Sequence, residues 1–195
     1  MRKKNLQNLE IRKLFSQEEI KEAVKILAKE IVRDYRLQLE EEKENFCLVL
    51  VGILNGAVPF IGDLARELST YFPVGTIEID YMAISSYGGT VSGKIRLEKD
   101  TKYPLGGKHV LIVEDIIDTG KTLAQILNLL SAKNPKSLKT CVLIDKHRPR
   151  KQEVTLHYVG FTVANDKWVI GYGLDFNNIG RELPFIGYLD RIPAS

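Results

Sequence analysis

An α/β fold with an open, mostly parallel sheet and helices on both faces is predicted by three observations. Short continuous runs of β-branched and aliphatic residues read as strands buried on both faces. Segments of helical period separate these runs, which implies parallel strands joined by crossover helices. One run, Val110 to Val113, leads through carboxylates and a small-residue turn into a helical pattern. The chain of 195 residues suits one such domain over 1–195, with enough length for a substantial core.

Each element follows in order. Ser16 with Glu19 forms a capping box, and Ile20, Val24, Leu27, Ile31 and Tyr35 recur at helical spacing, so a long amphipathic helix opens the fold. It runs into the charged stretch Glu40 to Glu44, the solvated end of a helix. Phe46 to Leu54 is the first buried strand; Asn55-Gly56 breaks it, and a helix follows from about Pro59 to Leu68. Val74 to Ile84 alternates at Ile77, Ile79 and Tyr81, which predicts a strand with those residues inward and one wetter face. Ser85 to Lys94 carries three glycines and few apolar anchors, so a flexible segment is expected, either a plain hairpin or a lid. Ile95 to Glu98 reads as its returning strand. After the central strand and its helix come a strand from Leu138 to Asp145, another near Trp168 to Gly171, and an irregular tail.

The central segment carries the chemistry. Val110-Leu111-Ile112-Val113 ends in Glu114 and Asp115, and Asp118 opens the turn Asp118-Thr119-Gly120-Lys121-Thr122. In open α/β sheets ligands bind at the carboxyl ends of strands. Backbone N–H groups of Thr119, Gly120, Lys121 and Thr122, with two hydroxyls, suit a phosphate monoester at a helix start. Glu114 and Asp115 would repel a phosphate but accept hydrogen bonds from a vicinal diol, or face a divalent cation. Phosphate on one side and a diol on the other describe a ribose 5-phosphate. Gly-Lys-Thr also ends the ATP-binding P-loop, but that motif needs glycine where Asp115 stands, and Asp118 would sit inside the phosphate wrap. An ordinary helix cap would explain one acid, not three acids and a nest.

Composition narrows the class. A formal charge of +3 does not indicate a general polyanion binder; it does not by itself exclude nucleic acid, which is not an expected partner because no basic run stands out away from the central motif. No run is long enough to span a membrane, and no apolar segment follows Met1-Arg2-Lys3-Lys4, so a cytosolic protein is expected. Cys47 and Cys141 sit inside apolar runs, and the three histidines are scattered, which argues for no zinc or iron site.

Val113-Glu114-Asp115-Ile116-Ile117-Asp118-Thr119-Gly120-Lys121-Thr122 resembles the fingerprint of the type I phosphoribosyltransferases, and is similar to their hypoxanthine/guanine branch in particular. The resemblance covers most of the chain to Arg181. It implies the type I fold, with a small hood formed by the chain termini. It implies transfer of 5-phosphoribosyl from phosphoribosyl pyrophosphate to N9 of a 6-oxopurine, giving IMP or GMP and pyrophosphate in purine salvage, with Mg²⁺ as cofactor. The expected assembly is a homodimer or homotetramer.

Roles then fall on matching positions. Glu114 and Asp115 hold the ribose hydroxyls, Thr119, Gly120, Lys121 and Thr122 hold the 5-phosphate, and Asp118 is the general base. Leu54-Asn55-Gly56 corresponds to a pyrophosphate loop with a cis peptide between Leu54 and Asn55, joined by Arg181. Family members usually carry lysine or arginine where Asn55 stands, so no basic side chain serves there. The purine falls to Ile116, Lys146 as donor to the exocyclic oxygen, Trp168 as stacking platform, and main-chain groups of Val169 and Asp175. Glu114, Asp115 and Asp175 are the metal-linked carboxylates. Ser86-Tyr87 matches the dipeptide of the family's closing loop, within 85–94. Taken alone, a basic turn such as His147 to Lys151 is a solvated one, and a lone tryptophan is usually core; only the motif gives Lys146 and Trp168 their roles.

Two other readings stay open at this point. One is a branch acting on xanthine, adenine or a pyrimidine, although the amino group of adenine would not accept from Lys146. The other is a phosphoribosyl pyrophosphate sensor that regulates nucleic acid, which would need a basic patch away from the site.

Overall fold

The structure, a computed structural model, describes residues 10–86, 95–147, 152–164 and 168–190. Tyr87, the rest of the glycine-rich segment through Lys94, the turn Arg148 to Lys151 and Lys167 lie outside the described residues.

The sheet is set by strands β2 (Leu48–Leu54), β3 (Ile77–Ser86), β4 (Ile95–Lys99), β5 (His109–Ile117), β6 (Ser137–His147) and β7 (Tyr158–Ala164), in spatial order β4-β3-β2-β5-β6-β7. All neighbours are parallel except β4, which runs antiparallel along β3 at one edge. Alternate residues of the central strands feed two cores, as strands covered on both faces require. Leu48, Leu50, Leu111, Val113 and Leu143 pack beneath α1 (Gln17–Glu42) and α2 (Val58–Leu68). Val49, Val51, Val110, Ile112 and Val142 pack beneath α3 (Lys121–Ser131). Helices on both faces are therefore observed.

α1 begins as its sequence requires. Ser16 Oγ accepts from the Glu19 N–H at 3.2 Å, and the Glu19 carboxylate accepts from the Ser16 N–H at 2.8 Å. All five residues of its predicted apolar stripe are buried. Each such aliphatic side chain contributes about 1.5–3 kcal/mol by leaving water.

Three strands were not legible. β7 extends the sheet beyond β6, while β1 (Ile11–Phe15) and β9 (Ile186–Leu189), the latter within the expected irregular tail, join β8 (Trp168–Ile170) in a second antiparallel sheet of order β1-β9-β8. That sheet gathers both ends of the described chain. β3 corrects another expectation: its period of two holds, but Ile79 is 45 % exposed while Asp80 and Met82 are buried. Ile77 and Tyr81 only partly reach the core under α1 and α2. Asp80 tolerates burial because its carboxylate accepts from the N–H groups of Tyr81, Lys102 and Tyr103 at 2.8, 2.6 and 3.3 Å. Cys141 is buried in β6 and Cys47 partly buried before β2, both free thiols; burial pushes the Cys47 pKa up to about 11.

Because β3 flanks β2 on one side and β5 on the other, the strand order reverses between β2 and β5. That reversal opens a crevice at the carboxyl ends of the two strands, the place where open α/β sheets bind ligands.

Candidate active site

Both sides of the crevice carry predicted residues. β2 ends in Leu54, and the Leu54–Asn55 peptide is cis, as expected from the resemblance. β5 runs further than its apolar run suggests, to Ile117, so Glu114, Asp115 and Ile116 belong to the strand and Asp118 begins the turn. α3 starts at Lys121 after Gly120, which takes the left-handed φ of 77° that glycine adopts without a Cβ penalty. The N-cap position belongs to Gly120, which brings no capping side chain. The ladder opens with Ala124 N–H on Gly120 O at 2.9 Å, which leaves earlier N–H groups of the first turn pointing out of the helix end. Beside them lies a cavity of about 170 Å³ lined by Glu114, Ile116, Asp118, Thr119, Gly120 and Thr122.

Gly56 brings the two strand ends into contact. A Cβ at Gly56 would lie 1.6 Å from Asp115 Oδ2, so the carboxylate sits directly on the loop backbone. On its other side Gly173, at φ 96°, packs so closely that a Cβ there would lie 2.0 Å from Gly56 O. Sequence reasoning assigned Gly173 nothing; the glycines flanking Tyr172 were the available signal.

Burial and repulsion from Asp115 raise the pKa of Glu114 well above the usual range, and the protonated Glu114 carboxyl donates to the Asp115 carboxylate. Burial also raises Asp115, against the hydrogen bonds of Glu114 and the Ile116 N–H and the positive field of Arg181. Glu114 Oε2 is enclosed and finds no hydrogen-bond partner among the described residues. Such a pair favours a cation or a diol, either of which would repay the ionised form. These residues fit a divalent cation held by one or two carboxylates and completed by oxygens of a phosphorylated substrate. Among the described residues no three acidic, histidine or cysteine side chains converge as a metal cage, so Asp175 does not join Glu114 and Asp115 in one cluster.

A stability prediction follows from the raised carboxylates. The folded protein holds protons that the unfolded chain releases near pH 4–5, so this pair's contribution to stability falls as pH rises from there through the folded pKa. Glu114→Gln in EDTA should flatten that decline and raise the melting temperature at pH 7, by about 2–4 °C for each 1 kcal/mol gained. Thermal melts of both proteins at pH 5 and pH 7 check this; an equal decline in both would remove Glu114 as its source.

The third wall comes from the segment after β8. Asp175 Oδ1 pairs with Arg181 Nη2 at 2.7 Å, and Arg181 Nη1 donates to Gly173 O at 2.7 Å, which fixes the guanidinium. Trp168, 44 % exposed, donates from Nε1 to Asp175 O at 3.3 Å and meets Phe176 edge to face at 5.5 Å. Its ring is thus held at the surface, while the neighbouring Val169 is buried. Lys146 is the penultimate residue of β6, partly buried, and Ile116 is partly buried against the core. Asn55 is exposed and Ser86 ends β3 opposite Ile95.

The open helix start, the carboxylate pair and the backbone loop that meet at the switch point define an α/β protein with a ligand-binding crevice. The chain belongs to the phosphoribosyl transferase domain family, whose pattern matches residues 12–177. It is 43 % identical over 178 residues to the hypoxanthine-guanine phosphoribosyltransferase of Dictyostelium discoideum, covering 90 % of this chain and 93 % of that one. It is 40 % identical to the bifunctional protein TilS/HprT of Listeria monocytogenes, covering 90 % of this chain and 25 % of that longer one. A solved structure of Trypanosoma cruzi hypoxanthine phosphoribosyl transferase superposes with a TM-score of 0.84 at 37 % identity, over 93 % of this chain and 92 % of that one.

Proposed function

We propose that the protein transfers 5-phosphoribosyl from phosphoribosyl pyrophosphate to N9 of hypoxanthine or guanine, giving IMP or GMP and pyrophosphate in purine salvage. The observation that carries this reading is the contact of Gly56 with Asp115, which brings the loop after β2 against the carboxylates of β5 and supports reading them as neighbouring pyrophosphate and ribose sites. The relatives named above support the choice of base.

Thr119, Gly120, Lys121 and Thr122 anchor the 5-phosphate, and Glu114 and Asp115 accept from the ribose hydroxyls. Leu54, Asn55 and Gly56 present backbone to the pyrophosphate, and Arg181 faces it with a planar fork of donors. Positive charge grows on the ribose as its bond to pyrophosphate stretches, and the Glu114–Asp115 pair lies where it stabilises that charge. Asp118 takes the proton from the purine. Lys146 donates to the 6-oxygen, Ile116 and Val169 line the slot, Trp168 stacks on the ring, and Asp175 contributes main chain. Mg²⁺, held by Glu114, Asp115 or Asp175 together with substrate oxygens, would neutralise charge on the leaving pyrophosphate. Ser86 and Tyr87 would belong to a loop over 85–94 that closes on the reacting ribose. A cytosolic homodimer or homotetramer fits this reading; no described helix is long and apolar enough to cross a membrane.

Trp168→Ala should raise the KM for the base about tenfold, since stacking contributes about 1–3 kcal/mol per base, and leave the KM for phosphoribosyl pyrophosphate near its original value. Steady-state kinetics with each substrate varied check this; an unchanged base KM would take Trp168 out of the base site. The choice of base is tested by pyrophosphate release with Mg²⁺, phosphoribosyl pyrophosphate and hypoxanthine, guanine, xanthine, adenine or uracil in turn. Release with hypoxanthine or guanine is expected; release only with adenine or uracil would overturn the assignment.

A further inference from the structure

We propose that Asp63 is a positioning residue for the pyrophosphate side of the site, acting through the hydroxyl of Tyr172. This rests on the reading of Leu54–Gly56 and Arg181 as the pyrophosphate-binding elements.

Asp63 lies on α2, the helix that continues from the Leu54–Gly56 loop, and its carboxylate receives the Tyr172 hydroxyl and the guanidinium of Arg66. Asp63, Tyr172 and Arg181 line one cavity of about 580 Å³. Tyr172 is buried and holds a left-handed φ of 49°, between Gly171 at 99° and Gly173 at 96°. A non-glycine residue keeps that conformation only where its surroundings hold it there. Part of the hold is backbone, because Tyr172 N–H donates to Leu183 O at 2.9 Å and Gly173 N–H to Arg181 O at 3.0 Å. The side-chain hold is the bond to Asp63, a directional tie to α2 beside the packing of Gly173 against Pro59.

What the turn carries gives the tie its consequence. Gly173 O accepts from Arg181 Nη1, and the Gly173 Cα rests against Gly56 O. A turn free to rotate would loosen the arginine and one wall of the pyrophosphate loop together. Burial and the Asp63 carboxylate raise the Tyr172 pKa, so the hydroxyl stays a donor at neutral pH. Arg66 is an exposed i,i+3 partner that takes the other carboxylate oxygen of Asp63, Oδ1 rather than the Oδ2 bonded by Tyr172, so it serves as the control.

The test compares Asp63→Ala, Tyr172→Phe, their combination, Asp63→Asn and Arg66→Ala by steady-state kinetics, pyrophosphate inhibition and thermal melting. Asp63→Ala and Tyr172→Phe should each raise the KM for phosphoribosyl pyrophosphate and the inhibition constant of pyrophosphate about tenfold, with the base KM near its original value. The double variant should match the single ones, Asp63→Asn should retain most of the affinity because its amide oxygen still accepts, and Arg66→Ala should change little. Losses that add in the double variant, that follow Arg66→Ala equally, or that fall on both substrates alike would overturn the proposal. If either variant fails to fold, the other with the Asp63→Asn rescue decides it. Failure of the transferase reading itself would appear separately, as no turnover by the unmodified protein.

Discussion

Asp118→Asn is expected to fold normally and to lower turnover by about two to four orders of magnitude, the range for a positioned general base. Asp118 directly follows β5 and lines the cavity at the start of α3 together with Glu114 and Thr119. Asparagine can occupy the same space in the turn, so the fold should be kept. Asparagine keeps the shape and removes the proton acceptor. The KM for phosphoribosyl pyrophosphate should therefore stay close to its original value while kcat falls. Rapid-quench or steady-state rates with the variant check this, and turnover equal to that of the unmodified protein would strike Asp118 from the chemistry.

Gly56→Ala should damage the site from the opposite wall. The added methyl would stand 1.6 Å from Asp115 Oδ2 and 2.5 Å from its Cγ, so the loop and the carboxylate cannot both keep their places. On the far side Gly173 presses on Gly56 O, which closes the direction of retreat. A displacement of about 1 Å in such a site costs about 100-fold in rate, and kcat/KM for phosphoribosyl pyrophosphate should fall at least that far. Titration of phosphoribosyl pyrophosphate into the folded variant separates lost binding from misfolding; undiminished affinity with undiminished rate would show that the contact has no functional weight.

Legibility in the sequence followed contact distance along the chain. The strand, turn and helix from Val110 to Leu130 could be read because their signals are local: a β-branched run, a glycine that takes a left-handed φ, and an apolar helical period. The capping box of α1 was equally local. β1 and β9 could not be read, since β1 finds its partner at the far end of the chain. β7 was missed for a related reason: its ladder lies wholly along β6, and its own sequence carries glycine and threonine among the apolar residues. On β3 the apolar alternation pointed to the wrong face because Asp80 meets three N–H donors that only the fold assembles.

The site divides in the same way. The acids and the nest were visible in one motif, whereas the roles of Leu54–Gly56, Trp168 and Arg181 came from resemblance. No local signal showed that Gly56 and Gly173 are stacked beneath Asp115, or that Asp63 reaches Tyr172 across 109 positions. Such contacts are products of packing at the switch point, where the ends of separate strands converge.

The central claim, that this crevice joins a ribose 5-phosphate to a purine, is tested most directly by the stoichiometry of a single reaction. Protein, Mg²⁺, phosphoribosyl pyrophosphate and hypoxanthine are mixed, and hypoxanthine, IMP and pyrophosphate are quantified over time. One IMP and one pyrophosphate for each hypoxanthine consumed, over many turnovers, is the expected result. Tight binding of phosphoribosyl pyrophosphate with no consumption of hypoxanthine or guanine would contradict it.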